Sequence, residues 1–222
     1  MSYKKYKFAV IAVDVVIFTV FQNDLQVLLI KMKKKPFSGM WAVSGGLVKP
    51  NESVDNAAKR HLAQKTGVKN VYLEQLYTFG KPERDPFGRV VSVAYMALIP
   101  SADTKLKTTK EYEDVKWFNV NKLPRLAYDH QEIIRYAVSR LQAKLGYTNI
   151  AYSLLPSKFT LGELQKIYEI ILDKKVDKRN FRKKITRLGI LRRLREKRAG
   201  SPSRPAELYA FTSRRAQITE IL

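Results

Sequence analysis

Residues 45–68 read GGLVKPNESVDNAAKRHLAQKTGV, and this stretch decides the fold predicted for the first part of the chain. Ser53 is a favourable helix N-cap, and small or apolar residues then recur at the spacing of one helix face. Gly67 readily takes the left-handed conformation in which many helices end. The stretch therefore predicts a glycine turn and then a helix over residues 54–66, with Val54, Ala57, Ala58 and Leu62 on its buried face.

The same stretch resembles the Nudix box of pyrophosphate-cleaving enzymes. That box has the form G-x5-E-x7-R-E-U-x-E-E-x-G-U, where U is a bulky aliphatic residue. The chain keeps the residues of the box at Gly46, Glu52, Arg60, Leu62, Gly67 and Val68. The glutamates that follow the arginine in the box are replaced by His61, Gln64 and Lys65. The box is therefore degenerate at its acidic positions.

The missing glutamates decide the predicted chemistry. Pyrophosphate cleavage needs divalent metal ions, and magnesium prefers carboxylate ligands. Positions 61, 64 and 65 are expected to share one helix face, where Lys65 repels a cation and Glu52 alone is too little to hold the ions. The sequence therefore predicts no metal, no cofactor and no hydrolase activity. Arg60 and the paired glycines are expected to serve the scaffold, through a salt bridge within the box and a close backbone turn.

The bulk composition narrows the class of protein. Hydrophobic residues make up 45% of the 222-residue chain, there is no cysteine, and there are two histidines. A real core is expected, while disulfides and thiolate metal sites are excluded. The apolar run over residues 8–21 contains Asp14 and is too short to span a bilayer, so we interpret it as a buried strand. We expect a cytoplasmic protein with no membrane partner.

The positive charge is concentrated near the C-terminus. The formal net charge is +22, and residues 151–222 hold 18 Lys and Arg against 7 Asp and Glu. Half of the excess thus lies on about a third of the chain. Such a high density of positive charge indicates a polyanionic partner, either a nucleic acid or an anionic membrane. A lysine-rich, solvated surface is the alternative for part of the excess in the N-terminal region.

The apolar pattern of the first 146 residues predicts a mixed α/β domain. Two β-rich runs surround the sequence QND, which indicates a hairpin, and further strands and a closing helix follow. The predicted strands cover residues 8–21, 25–32, 69–79, 89–99 and 115–118, and the closing helix covers residues 131–146. Residues 147–158 are predicted to form a linker between this domain and the next.

Residues 159–222 predict a second domain with a different pattern. Thr160 and Glu163 form a capping box for one helix, and Asp177 caps a second helix that Gly189 ends. Two strands follow around the loop RAGSPSRPAE. Helix, turn, helix and hairpin is the order of a winged helix.

Nearly the whole chain resembles the Nudix-related transcriptional regulators of the NrtR family. The resemblance implies an α/β fold in which a Nudix α/β/α sandwich, usually without hydrolase activity, precedes a C-terminal winged helix-turn-helix domain. Members repress genes of NAD synthesis or sugar use and release DNA when a metabolite such as ADP-ribose binds. The sequence DKRNFRK, residues 177–183, is similar to the second helix of arabinose-use regulators. One departure is Ser44, where many Nudix proteins have proline.

Residues 80–98, GKPERDPFGRVVSVAYMAL, resemble a stretch found in these regulators and in ADP-ribose-type Nudix enzymes. Arginine can hold a phosphate through two N–H groups, and a carboxylate can accept hydrogen bonds from sugar hydroxyls. The predicted effector-binding residues are Phe79, Arg84, Asp85, Arg89 and Tyr95, together with Glu52 of the box. An ordinary hairpin with DPFG as its turn is the alternative. Asp129 and His130 are expected to cap the closing helix.

The second helix of the C-terminal domain is expected to enter the major groove of double-stranded operator DNA. Arg179, Asn180 and Arg182 are the candidate base readers, because arginine pairs with guanine and asparagine with adenine. The predicted DNA-binding residues are Lys178, Arg179, Asn180, Arg182, Lys183, Thr186 and Arg187 on the helix, and Arg198, Ser203 and Arg204 around the loop. A helix that is charged only for solubility, and nonspecific RNA binding, are the alternatives.

The sequence thus favours a ligand-responsive repressor with ADP-ribose or a sugar as its effector. A homodimer is expected, because paired winged helices recognise paired half-sites. The alternative from another class is an active ADP-ribose or nucleotide pyrophosphatase with an accessory basic domain.

Overall fold

The computed structural model describes residues 8–67, 71–100, 106, 112–198 and 205–221. Two compact units are present. Most residues before 138 form the first, and the chain from Val138 onward forms the second together with Thr19–Leu25 and the chain just after Leu98. In the described ranges, no helix is long and apolar enough to cross a membrane. Val68, Ser203 and Arg204 lie outside the described residues.

A mixed sheet of seven strands dominates the N-terminal part. Its strands are β1 (Val10–Phe21), β2 (Asp24–Met32), β3 (Trp41–Ala42), β4 (Ser44–Leu47), β5 (Tyr72–Phe79), β6 (Val90–Leu98) and β7 (Tyr112–Asn119). The main order is β3-β2-β1-β6-β5, and β4 pairs with β1 while β7 pairs with β2. β1 and β6 are parallel. The predicted strands are confirmed, whereas β3 and β4 were not predicted because they are too short to show a period-two pattern.

The first hairpin follows from its turn residues. Gln22 and Asn23 have φ values of 49° and 69°, the left-handed conformation that tight hairpin turns require. β1 is buried from Ala12 to Thr19, since it lies between β6 and the strands on its other edge. Asp14 is the acidic residue in this buried run and is only 6% exposed.

Two helices complete the Nudix-like part: α1 (Val54–Thr66) and α2 (His130–Tyr147). α1 begins and ends as predicted. The Ser53 hydroxyl accepts a hydrogen bond from the Asn56 amide at 3.2 Å, and Gly67 closes the helix with φ 68°. Ala57, Ala58 and Leu62 are buried, whereas Val54 is half-buried. α2 confirms the predicted closing helix.

The C-terminal part consists of α3 (Leu161–Leu172), α4 (Lys178–Arg187), β8 (Leu191–Arg198) and β9 (Ala206–Phe211). The predicted capping box between Thr160 and Glu163 is present, and the Asp177 side chain accepts from the Asn180 amide. The buried side chains of the two helices are Leu164, Ile167, Tyr168, Ile171, Phe181 and Ile185. The predicted order of two helices and a hairpin is confirmed.

The segment predicted as a linker contains regular structure. A 3-10 helix covers Ile150–Ser153, and α2 extends one residue into the segment, to Tyr147. Ile150, Ala151, Leu154 and Leu155 are buried. The segment therefore packs within the second unit, and the domain limits at 146 and 158 stay a prediction.

Candidate functional site

A cleft of about 230 Å³ lies beside β1 and β4. It is lined by strand residues, by the loop that precedes β6 and by aromatic residues from the start of β7 and the approach to α2. The lining residues that matter here are Asp14, Gly46, Arg84, Asp85, Tyr112 and Tyr128. These side chains come from sequence positions far apart, and the sheet brings them together.

A buried ion network forms one side of the cleft. Arg84 donates from Nε and Nη2 to the two carboxylate oxygens of Asp129, at 2.9 and 2.8 Å. The same Nη2 lies 3.0 Å from Asp14 Oδ2, which also accepts from the Ser92 hydroxyl at 2.6 Å. The Arg84 side chain is 4% exposed. The guanidinium is therefore held rigidly between two acids.

His130 completes this network. Its Nδ1 accepts from the Val43 amide at 3.2 Å, so the proton of the neutral ring lies on Nε2, which is 3.4 Å from Asp14 Oδ1. Burial alone raises the pKa of Asp14, but His130, Ser92 and Arg84 outweigh it and hold that pKa at about 2. Asp14 is thus a carboxylate at neutral pH, although it is buried.

The paired glycines allow a close backbone approach at the cleft wall. A Cβ on Gly45 would lie 2.4 Å from the Val13 carbonyl oxygen, and a Cβ on Gly46 would lie 2.8 Å from His61 Cε1. Neither position has room for a side chain. The expected close backbone approach is confirmed, but the glycines lie in strand β4 and not in the turn that was predicted.

Arg60 and Glu52 make the salt bridge expected within the box. Arg60 Nε and Nη2 each lie 2.8 Å from one oxygen of Glu52, and the Lys49 amide also donates to that carboxylate. The hydrogen bonds from Arg60 are the largest influence on Glu52 and lower its pKa to about 2. Both Glu52 oxygens are therefore engaged by the scaffold, and Glu52 is not among the residues lining the cleft.

The three substituted box positions were expected to share one helix face, but their exposure differs. Gln64 is exposed, but His61 and Lys65 are 8% and 2% exposed because they continue the buried stripe of Ala57, Ala58 and Leu62. Burial is the largest cause that lowers the pKa of His61, to about 4, followed by the charges of Arg60 and Lys65. Lys65 Nζ lies 3.7 Å from the centre of the Tyr112 ring.

These residues do not suit the divalent metal ions of hydrolysing Nudix proteins. Glu52 is occupied by Arg60, and the substituted positions contribute an imidazole, an amide and an ammonium group. Within the described parts of the chain, no group of three or more His, Asp or Glu side chains is placed to hold a metal ion.

Of the predicted effector residues, the structure brings only Arg84 and Asp85 to the cleft. Phe79 is 7% exposed and packs against Tyr77 and Tyr136. The Tyr95 ring is 2% exposed and its hydroxyl contacts Asp55, so it does not stack on a ligand in this conformation.

Arg89 also lies outside the cleft lining. It is exposed and donates from Nη1 to the Gly80 carbonyl at 2.8 Å, a contact that closes the hairpin. Asp85 accepts from the Phe87 amide at 2.9 Å, which forms the DPFG turn of the alternative interpretation. The ordinary hairpin and the cleft therefore coexist.

Among the polar and aromatic lining residues, sequence reasoning missed Asp14, Tyr112 and Tyr128, and it expected His130 only as a helix cap. Asp14 had a signal, since an acid within a buried strand needs a partner. Tyr128 has φ 52°, and its ring lies 4.2 Å from that of Phe37. Asp129 lies at the N-cap position of α2 as expected, and its backbone carbonyl accepts from the Glu132 and Ile133 amides. Its carboxylate does not cap the helix but binds Arg84.

α4 presents a cationic surface. Lys178, Arg179, Asn180, Lys183, Thr186 and Arg187 are exposed. Arg182 lies at the edge of this exposed surface. It is half-buried, and its Nε is buried with no hydrogen-bond partner among the described residues. The Thr186 hydroxyl donates to the Arg182 carbonyl at 2.7 Å. The exposed face is thus centred on Lys183.

The hairpin that follows is joined to the start of α3. Arg198, a predicted DNA contact, forms an ion pair with Glu163 of the capping box. Two residues earlier on the same strand, Glu196 pairs with Lys158 at 2.6 Å. Arg198 is therefore engaged within the domain. The loop after it, with the predicted contacts Ser203 and Arg204, lies outside the described residues.

Comparison with known proteins agrees with both parts of the fold. Residues 10–138 match the NUDIX domain model, and residues 151–211 match the model of the NrtR DNA-binding winged helix domain. The chain is 36% identical, over 93% of its length and 83% of the relative, to the ADPR responsive transcriptional repressor NtrR of Acinetobacter baylyi. It is also 34% identical, over 60% of its length and 76% of the relative, to an ADP-ribose pyrophosphatase of Methanocaldococcus jannaschii.

Solved structures give the same result. Shewanella oneidensis NrtR in complex with a 27mer DNA superposes with a TM-score of 0.80 at 34% identity, covering 91% of this chain and 93% of that one. Its NUDIX domain in complex with ADP ribose matches at 36% identity, with a TM-score of 0.55 and coverage of 64% and 94%. A Nudix domain followed by a winged helix, matched in sequence and structure over almost the whole chain, means that this protein belongs to the NrtR family of transcriptional regulators.

Proposed function

We propose that this protein represses transcription by binding operator DNA through its winged helix and releases the DNA when ADP-ribose occupies the Nudix cleft. The observation that carries the proposal is the surface of α4. None of its six Lys and Arg residues forms an ion pair with a described residue. Cations without acidic partners are suited to neutralise DNA phosphates.

The exposed face of α4 supports a division of roles. Asn180 and Arg179, near the N-terminal end of the helix, are suited to read base edges. Lys183 and Arg187 lie one and two turns further along and are suited to hold phosphates. Arg182, Thr186 and Lys178 remain proposed DNA contacts, with Arg182 acting from the edge of the exposed surface. Arg198 is better suited to hold the hairpin against Glu163 than to bind DNA.

The cleft supports an effector that contains sugar hydroxyls. Asp14 and Asp85 line it, Arg84 is the only Lys or Arg among the described lining residues, and carboxylates accept hydrogen bonds from hydroxyl groups. ADP-ribose supplies such hydroxyls, and the relatives from Acinetobacter and Shewanella are named for its binding or for the response to it. Arg84 and Asp85 are the proposed direct contacts.

A gel shift on the DNA upstream of the protein's own operon tests the proposal. We expect a shift that ADP-ribose abolishes. Arabinose is the control sugar, and it should leave the shift unchanged. Two chains per duplex are expected for a homodimer on paired half-sites. A protein that binds this DNA no better than unrelated duplex, or that ignores ADP-ribose, would contradict the proposal.

The second candidate function is ADP-ribose hydrolysis, which the similarity to the Methanocaldococcus pyrophosphatase favours. We propose that this activity is lost, because Glu52 is bound by Arg60 and the other acids of the box are replaced. A turnover assay with ADP-ribose and Mg²⁺ distinguishes the two. Product formation that Glu52→Gln abolishes would favour the enzyme.

A further inference from the structure

The substituted box positions of α1 lie behind the wall of the cleft. His61 and Lys65 are one helical turn apart and are both buried. His61 contacts the backbone of Gly46, so closely that Gly46 has no room for a Cβ. Lys65 contacts the ring of Tyr112. Gly46 and Tyr112 both line the cleft, so both substitutions support residues of the cleft wall.

We propose that Lys65 is a positioning residue that holds the Tyr112 ring as an aromatic wall of the cleft, against which the adenine of the effector stacks. This inference rests on the proposed function, since it assigns a part of that cleft to a part of ADP-ribose. The position that carries a glutamate in the Nudix box thus serves ligand recognition here.

The contact between Lys65 and Tyr112 has the geometry of a cation–π interaction. The ammonium nitrogen lies 3.7 Å from the ring centre, within the range at which a cation is attracted to an aromatic face. Lys65 is 2% exposed, so the attraction acts with little screening by water. This contact is made on one face of the ring, and the ring also lines the cleft, where we place the adenine.

The place of Tyr112 in the sheet explains why it needs such support. It is the first residue of β7 and pairs with Met32, where the register between β7 and β2 shifts. A register shift disrupts the regular ladder and re-aims the side chains beside it, so a second contact helps to fix the direction of the ring. A flat ring held in place stacks on a purine because both present π-faces.

The test measures ADP-ribose binding by calorimetry with the full-length protein. We expect Lys65→Met to lower the affinity about tenfold, the scale of one base–aromatic stack. Lys65→Arg and Tyr112→Phe should retain most of the affinity, because they keep the cation and the ring. Lys59→Met, the same change at an exposed position of the same helix, is the matched control.

Two readouts separate positioning from a general structural role. In a double-mutant cycle, Lys65→Met together with Tyr112→Leu should lose no more affinity than Tyr112→Leu alone. Stacking should also reduce the ultraviolet absorption of adenine on binding, and Tyr112→Leu should remove that change. Additive losses, or wild-type binding without the absorption change, would overturn the inference. If the wild-type protein does not bind ADP-ribose at all, the proposed function fails first and the inference fails with it.

Discussion

Arg84 has a role that the composition of its loop did not reveal. It was expected to grip a phosphate from an exposed hairpin, but it is buried between Asp14 and Asp129. A buried arginine shared by two acids is costly to remove, because the acids are then left buried without a counter-ion. Its first role is therefore to build the cleft, and any contact with the effector comes in addition.

Replacement of Arg84 tests this role. Arg84→Met should lower the free energy of unfolding by about 3–5 kcal/mol, measured by urea denaturation. Lys81→Met is the matched control from the same loop. It removes the exposed pair with Glu132, whose side chains are 61% and 52% exposed, and should cost less than about 1 kcal/mol. Similar losses in the two variants would contradict a buried network at Arg84.

His61 predicts a pH dependence of stability. Its pKa is lowered from 6.5 to about 4 in the folded protein, chiefly by burial. Between these values the unfolded chain binds a proton that the folded chain does not, so stability falls as the pH decreases from 6.5 towards 4. The loss should be on the order of 1 kcal/mol after allowance for solvent screening.

Urea midpoints at pH 7 and pH 5 measure this effect. His61→Gln should reduce the difference between the two midpoints, since glutamine does not titrate. Asp14 should not interfere, because its pKa of about 2 confines its own effect to a more acidic range. An unchanged pH difference in the variant would show that His61 is not the group responsible.

At the scale of elements, α1 and α4 use the same helical geometry for different purposes. α1 turns even its imidazole and an ammonium group inward, because its stripe lies behind the cleft wall. The buried residues of α4 are Phe181 and Ile185, and its cations are exposed except for the half-buried Arg182. The two arrangements suit the roles that we propose, ligand recognition for α1 and DNA recognition for α4.

The α4 surface predicts a change in salt dependence. Lys183→Ala should weaken binding to operator and unrelated DNA alike, and should reduce the slope of log affinity against log salt by about 1. Asn180→Ala should weaken operator binding selectively, because it removes a base contact. Lys122→Ala, at an exposed position of the Nudix part, is the control. If Lys183→Ala leaves this slope unchanged, Lys183 does not contact a phosphate.

At the scale of the whole molecule, repression that responds to a ligand requires that the two binding events be coupled. The coupling must be reciprocal: if ADP-ribose lowers operator affinity by some factor, operator DNA lowers ADP-ribose affinity by the same factor. Only a difference in affinity between two states of the protein can produce this effect.

Calorimetry measures the coupling directly. Saturating operator should weaken ADP-ribose binding by a factor of roughly 5 to 150, the usual range for allosteric coupling. Unrelated duplex of the same length is the control and should have a smaller effect. If operator and effector bind independently, release of DNA by ADP-ribose is not the mechanism.

Local signals in the sequence determined the elements of this protein. The N-caps Ser53, Thr160 and Asp177, and the turn at Gln22 and Asn23, act within a few residues of the chain. Their effect does not depend on distant partners, so the helices, the first hairpin and the winged-helix order were predictable. The loss of the acidic residues of the Nudix box was equally predictable, because it depends only on which residues occupy those positions.

Only the tertiary structure decided which side chains form the cleft. Arg84 meets Asp14 across 70 residues because β1 and β6 pair in parallel and set Asp14 close to the chain that enters β6. The same packing buries Tyr95 and Phe79, which looked suitable for stacking, and places Tyr112 over Lys65 instead. Strand order and register depend on the sum of many distant contacts, and no short stretch of sequence carries that information.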